Sequence, residues 1–190
     1  MPPKAKFSKN EIISAALEII KRDGVDALTA RSLGNELGSS ARPIFTVFEN
    51  MSEVQDEAVK AAKSLYNEYI EIGLKEALPF KGVGTAYIKF AAQQPKLFQL
   101  LFMREMNGIP DTGNILNFLD FNHDKILESI EGSYGFSRDI AKQIYLHLWI
   151  YSHGIAVLIA TKVCNFTSEE ISQLLSEVFV SILKKFKSES

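Results

Sequence analysis

The side chains that could do covalent chemistry are few and badly spaced for it. His147, His153 and Cys164 are scattered by helical phase, and no serine–histidine–aspartate set, paired carboxylates, glycine-rich phosphate loop or metal-ligand spacing accompanies them. An enzyme is therefore not expected, nor a metal or a cofactor. The residues suited to recognition say more. In residues 29–48, TARSLGNELGSSARPIFTVF, small hydroxyl side chains and one arginine follow Gly38. Ser39, Ser40, Ala41, Arg42 and Thr46 would line a short helix offered to a DNA major groove, which is about 12 Å wide and admits one helix. Arg42 is the one side chain there able to grip guanine O6 and N7 together. Thr29 and the amides at its helix end suit a phosphate. Ser39 and Ser40 also read as helix caps, and Arg42 also as a contact to phosphate or solvent.

A recognition helix needs a scaffold, and the pattern around it supplies one. Ser8-Lys9-Asn10-Glu11 spells a capping box. Ile12, Ile13, Ala16, Leu17, Ile19 and Ile20 then recur at helical spacing as far as Gly24. Thr29 caps a second helix with Leu33 and Leu37 inward. Gly38 ends it, and Ser39 or Ser40 caps a third, short helix holding Ile44, Phe45 and Phe48. Asn50-Met51-Ser52-Glu53 opens a long fourth helix ending near Gly73, and Pro79, Gly82 and Gly84 read as a break. Helices are expected over 86–93, 96–103, 113–131, 137–163 and 168–186, the last opened by the box Thr167-Ser168-Glu169-Glu170. No strand is convincing. The expected class is all-α, with about nine helices.

Composition bounds the rest. The chain has 190 residues, 46% hydrophobic and 23% charged, ample for one sizeable domain or a small one fused to a larger. Net charge is −2, so bulk charge does not point to nucleic acid. Its distribution is uneven: about +1 over residues 1–50 and about −3 beyond. Lys4, Lys6 and Lys9 form a basic tip, read either as an arm along phosphate or as a frayed terminus. The one cysteine, Cys164, rules out an intrachain disulfide and fits a reducing cytoplasm. Residues 1–10 lack the apolar core of a signal peptide. Ile144–Ala160 is greasy but interrupted by His147, Ser152 and His153, which argues against a membrane span.

The run Glu11–Val54 resembles the N-terminal domain of the TetR/AcrR family of bacterial transcriptional regulators. The likeness rests on Ile13-Ser14-Ala15-Ala16-Leu17, Gly24, Leu28-Thr29, Arg31-Ser32-Leu33, Glu36-Leu37-Gly38, Ser40, Ile44-Phe45 and Phe48. The family usually has tyrosine where Phe45 stands and often lysine where Met51 stands, both for phosphate. Ala86-Tyr87-Ile88-Lys89-Phe90-Ala91, Pro95-Lys96-Leu97-Phe98, Leu148-Trp149 and His153-Gly154-Ile155-Ala156 are similar to a C-terminal domain of the Trp-His-Gly type.

The resemblance implies a DNA-binding domain over 1–50 and an effector-binding and dimerisation domain over 51–190. It implies DNA contacts from Lys6, Thr29, Arg31, Ser39, Ser40, Ala41, Arg42, Phe45 and Thr46. It implies that the last two helices pair with those of a second chain through Ile155, Leu158, Ile159, Leu174, Leu175, Val178, Phe179 and Ile182. A stripe of aromatics and methionines, Tyr66, Tyr69, Phe90, Phe98, Phe102, Met103, Met106, Phe118 and Phe121 with Trp149 and His153, reads either as ordinary core or as the wall of an effector cavity. No buried Lys or Asp anchor is evident, so the effector is expected to be uncharged or lipophilic. The implied function is a homodimeric, effector-released regulator, expected to be a repressor, on a near-palindromic operator and away from any membrane. The alternative is a helical small-molecule binding protein whose front end does not read DNA.

Overall fold

The computed structural model describes residues 6–105, 111–112, 114–116 and 122–188. The described residues are helical, without strands, and their α-helices are α1 (Lys9–Asp23), α2 (Ala30–Glu36), α3 (Met51–Leu74), α4 (Pro79–Gln93), α5 (Pro95–Phe102), α6 (His123–Tyr134), α7 (Arg138–Ala160) and α8 (Ser168–Ser188). Helix contacts divide the chain into two compact units, Met1–Leu65 with Gln94–Arg104, and Tyr66–Gln93 with Glu105–Ser190. The first unit thus runs past residue 50 into α3 and takes in α5.

Local chemistry fixes the helix starts in the first unit. Ser8 Oγ accepts from the Glu11 amide at 3.2 Å, and the Glu11 carboxylate accepts from the Ser8 amide at 2.7 Å. That second bond holds the exposed Glu11 carboxyl below its usual range. Asn50 Oδ1 caps α3 by accepting from Glu53 N at 3.0 Å. Ile12, Ala16, Ile19 and Ile20 of α1 are buried with Leu28 and Leu33, with Val54, Ala58 and Ala62 of α3, and with Leu97, Phe98 and Leu101 of α5. Pro95 starts α5 at a position where a missing amide hydrogen costs nothing. The helix then folds back onto α1.

In the second unit, α4 and α7 make the most extensive helix pair, flanked by α6 and α8. The expected break at Gly82 and Gly84 does not occur, because both lie inside α4. Gly82 is there for a close crossing. A Cβ on Gly82 would stand 2.1 Å from the Gly73 carbonyl oxygen, and one on Gly73 would stand 2.5 Å from that of Gly82. α3 and α4 therefore touch backbone to backbone. α7 is, among the described residues, the one helix long and apolar enough to span a membrane by length and composition. Its buried face, which includes Ile144, Leu148, Ser152 and Ala156, packs against the protein's own helices.

The crossing yields a stability test. Gly82→Ala is expected to lower the unfolding free energy by at least about 2 kcal/mol, because the clash is with backbone. Gly132→Ala, on α6 with nothing within 4 Å of a new Cβ, is expected to raise it by about 0.5–1 kcal/mol. Chemical denaturation followed by circular dichroism measures both, and equal effects would contradict the crossing.

Candidate functional site

Two glycines shape the segment after α2. Gly38 turns the chain with φ +61°, and Ser39 N donates back to Gly34 O at 2.8 Å. The backbone that follows lies directly on Gly34, where a Cβ would stand 2.9 Å from Ala41 N. Sequence reasoning missed Gly34; its spacing of four from Gly38 was the available signal. The expected third α-helix is corrected here. Residues 41–48 wind tightly as turns around a 3₁₀ helix, Ile44–Thr46. Ile44 N donates to Ala41 O at 3.1 Å, Thr46 N to Pro43 O at 3.2 Å and Val47 N to Ile44 O at 3.0 Å. Pro43 supplies no donor and disfavours the α conformation at Arg42, so the tighter winding takes over.

The coil is still two-faced. Ile44 and Phe48 are buried, while Ser40, Arg42, Phe45 and Thr46 are exposed, with Phe45 at 44%. Ser39 and Ala41 are half-buried. Ser39 does not act as a helix cap; its Oγ accepts from Lys6 Nζ at 3.0 Å, which places Lys6 beside the coil. Thr29 caps α2, accepting from Ser32 N at 3.1 Å, with Ser32 Oγ returning to the Thr29 amide at 2.9 Å. Nearby cations are consumed by carboxylates: Arg22 pairs with Asp23 and Glu36, and Lys9 with Glu57. Lys6, Arg31 and Arg42 are exposed and make no ion pair among the described residues.

The second unit contains an apolar cleft between α4, α7 and α8. Phe80, Val83, Gly84 and Tyr87 of α4 face Tyr145, Leu148, Trp149 and Ser152 of α7, and Leu175, Ser176 and Phe179 of α8 close it. Tyr66 and Lys81 complete the wall. Counted to its open mouth the cleft holds about 530 Å³, but the cavity that takes water-sized molecules is about 40 Å³. Trp149 and His153 stack at 4.9 Å with 13° between the rings. The Tyr87 hydroxyl is hydrogen-bonded to His153 Nδ1 at 2.8 Å. His153 thus stands behind the wall and steadies two of its aromatics. Burial lowers its pKa.

Of the expected cavity residues, Tyr66 and Trp149 line this cleft. Tyr69 and Phe90 pack edge to face at 5.3 Å, outside it. Phe98, Phe102 and Met103 do not line it; Pro95 redirects the chain, and these residues belong to the first unit. Met106, Phe118 and Phe121 lie outside the described residues. Two expected interface residues, Ile155 and Leu175, are each only 5% exposed within the chain itself, because the core stripe of α7 continues through Ile155 and Leu175 closes the cleft. Phe179 also turns to the cleft. Leu158 is exposed, and Ile159, Leu174, Val178 and Ile182 are half-buried. Gly154 meets nothing within 4 Å among the described residues, so no helix of this set packs closely on it. Among the described residues no three His, Cys, Asp or Glu side chains gather as a metal set.

No family model matches the chain, and no curated protein matches it. A solved structure described as that of a protein with unknown function from Rhodococcus sp. RHA1 is similar, with 18% identity, a TM-score of 0.71, and coverage of 97% of this chain and 98% of that one. The likeness extends the all-α fold to a second sequence.

The depressed pKa of His153 gives stability a pH dependence. The unfolded imidazole binds a proton at higher pH than the native one. The contribution is therefore fully present above about pH 6.5 and is lost as pH falls from there through the lowered native value. His153→Gln is expected to flatten the fall in melting temperature between about pH 7 and 5.5. An unchanged slope would contradict the assignment.

Proposed function

We propose that the chain is a DNA-binding transcriptional regulator of the TetR/AcrR type, acting as a homodimer and releasing DNA when a small apolar molecule enters the cleft of the second unit. The observation that carries this reading is Arg42: exposed, without an ion pair, on a glycine-braced coil whose opposite face is buried. Ser40 and Thr46 flank it with hydroxyls, and Lys6 adds charge through Ser39. The front lacks the family's tyrosine and lysine, so Thr29, Arg31, Thr46 and backbone amides carry more of the phosphate anchoring. Phe45 contributes apolar contact.

Support for a second copy comes from α7. Ile150, Gly154 and Leu158 recur every four residues on one face, with Ile150 56% and Leu158 37% exposed. Gly154 leaves open space between them. α8 adds an exposed Val180, and of its 21 residues only Leu175 and Phe186 are buried. In the dimer, two coils about one DNA turn apart, ~34 Å, read a near-palindrome. An effector that binds better to another spacing shifts the population off DNA.

The second reading, a small-molecule binding protein that does not read DNA, is favoured by one observation: the expected recognition α-helix is a 3₁₀ coil. The two readings part in a gel shift against the DNA upstream of the chain's own gene. The regulator binds with steep salt dependence, and Arg42→Ala weakens binding at least about tenfold. Binding indifferent to salt and to Arg42→Ala selects the second reading. For the dimer, Gly154→Lys is expected to give a folded monomer by sedimentation where the wild type is a dimer. A wild-type monomer would refute it.

A further inference from the structure

We propose that the cleft takes an apolar molecule bearing a single carboxylate, with Lys81 as its counter-ion and Ser152 as its hydrogen-bond donor; this rests on the ligand-responsive reading above and names the chemistry of the ligand. The inference begins with two polar groups in an otherwise apolar, aromatic wall. Ser152 is 4% exposed and its Oγ has no hydrogen-bond partner among the described residues. Ser176 Oγ donates to Ser172 O at 2.7 Å and Ser181 Oγ to Glu177 O at 2.8 Å, each on its own helix. Ser152 does not. Its Oγ instead looks across at Gly84, 3.6 Å from where a Cβ would stand. The hydroxyl is on the cleft wall and free to pair with a ligand atom there.

Lys81 is the second group. It lies one helical turn before Gly84 on the same face of α4 and is half-buried in the cleft wall. Among the described residues it makes no ion pair. Glu76 borders the neighbouring groove, which Lys81 also lines, but not the cleft. Lys81 lines the almost wholly apolar cleft with its stem, and its ammonium, at the end of a flexible chain, can turn to the mouth, where it and the Ser152 hydroxyl are complementary to a carboxylate. An amine would meet like charge, and an alcohol would leave Lys81 unpaired.

Gly84 supplies the room. Unlike Gly82, it faces no backbone: a Cβ there would meet Leu175 Cδ1 and Ser152 Oγ at an ordinary 3.6 Å. Alanine would fit and would favour the helix, so packing within the chain does not require glycine at this position. What glycine leaves is space beside Ser152. The cavity of about 40 Å³ is too small for a ring, so occupancy also requires Leu175 and Phe179 of α8 to give way.

Trp149, the chain's one tryptophan, lines the cleft and reports on it. The full chain is titrated at pH 7 with phenylacetate, 2-phenylethanol and 2-phenylethylamine, and then with octanoate and 1-octanol for an aliphatic body. Each acid is expected to shift Trp149 emission saturably, with a Kd at least about tenfold below that of its alcohol, and the amine is expected to bind most weakly. Lys81→Met is expected to erase the acid's advantage while leaving the alcohols within about twofold. Gly84→Ala is expected to raise Tm by about 2–4 °C while weakening the acids at least about tenfold. Equal affinity for acid and alcohol, or an advantage that survives Lys81→Met, overturns the inference and leaves the ligand cleft standing. No saturable response to any probe overturns the ligand-responsive reading and the inference with it.

Discussion

The contact between Gly73 and Gly82 constrains much of the second unit. Two helix backbones meet there with no side chain between them, so any side chain at either position forces α4 away from the end of α3. The position of α4 fixes Tyr87, which holds His153 and so the stacked Trp149. It also fixes Gly84, which faces Ser152 and Leu175. One tight crossing therefore sets the wall of the cleft on α4 and braces, through hydrogen bonding and ring stacking, the wall on α7. The remaining wall, on α8, is tied down less: of its residues only Leu175 and Phe186 are buried.

In the first unit a glycine plays a comparable part. Gly34 lets the chain after the turn lie against α2, and Gly38 takes the left-handed conformation that reverses its direction. Pro43 then sets the winding. The outcome is a short, tight coil anchored by Ile44 and Phe48, with Arg42 outward. The proposed groove contacts depend on this anchoring more than on helix type, because base edges are reached by the outward side chains. α3 contributes its first residues to this unit and its later ones to the cleft-bearing unit, which makes it one continuous helix shared by the proposed DNA and ligand functions.

Features fixed by near neighbours were legible in the sequence. The boxes at Ser8–Glu11 and Thr167–Glu170 form as their spacing predicts, because a cap needs only residues three apart. The apolar stripe of α1 is buried at Ile12, Ala16 and Ile19 as its periodicity requires. Features set by distant contacts were not legible. Gly82 reads locally as a breaker, and only its crossing with Gly73 shows why a helix keeps it. Phe98 reads as part of an aromatic stripe, yet the return of α5 onto α1 removes it from the cleft. Lys81 stands between Phe80 and Gly82 in a stretch that reads as a break; as part of α4 it lines the cleft.

The central claim is that two copies of this chain grip one duplex. Native mass spectrometry of the purified chain with the duplex upstream of its own gene counts the partners directly. The account requires two chains per duplex at concentrations where one chain per duplex is not detected. A stable complex with a single chain, or no complex at low salt, would contradict it.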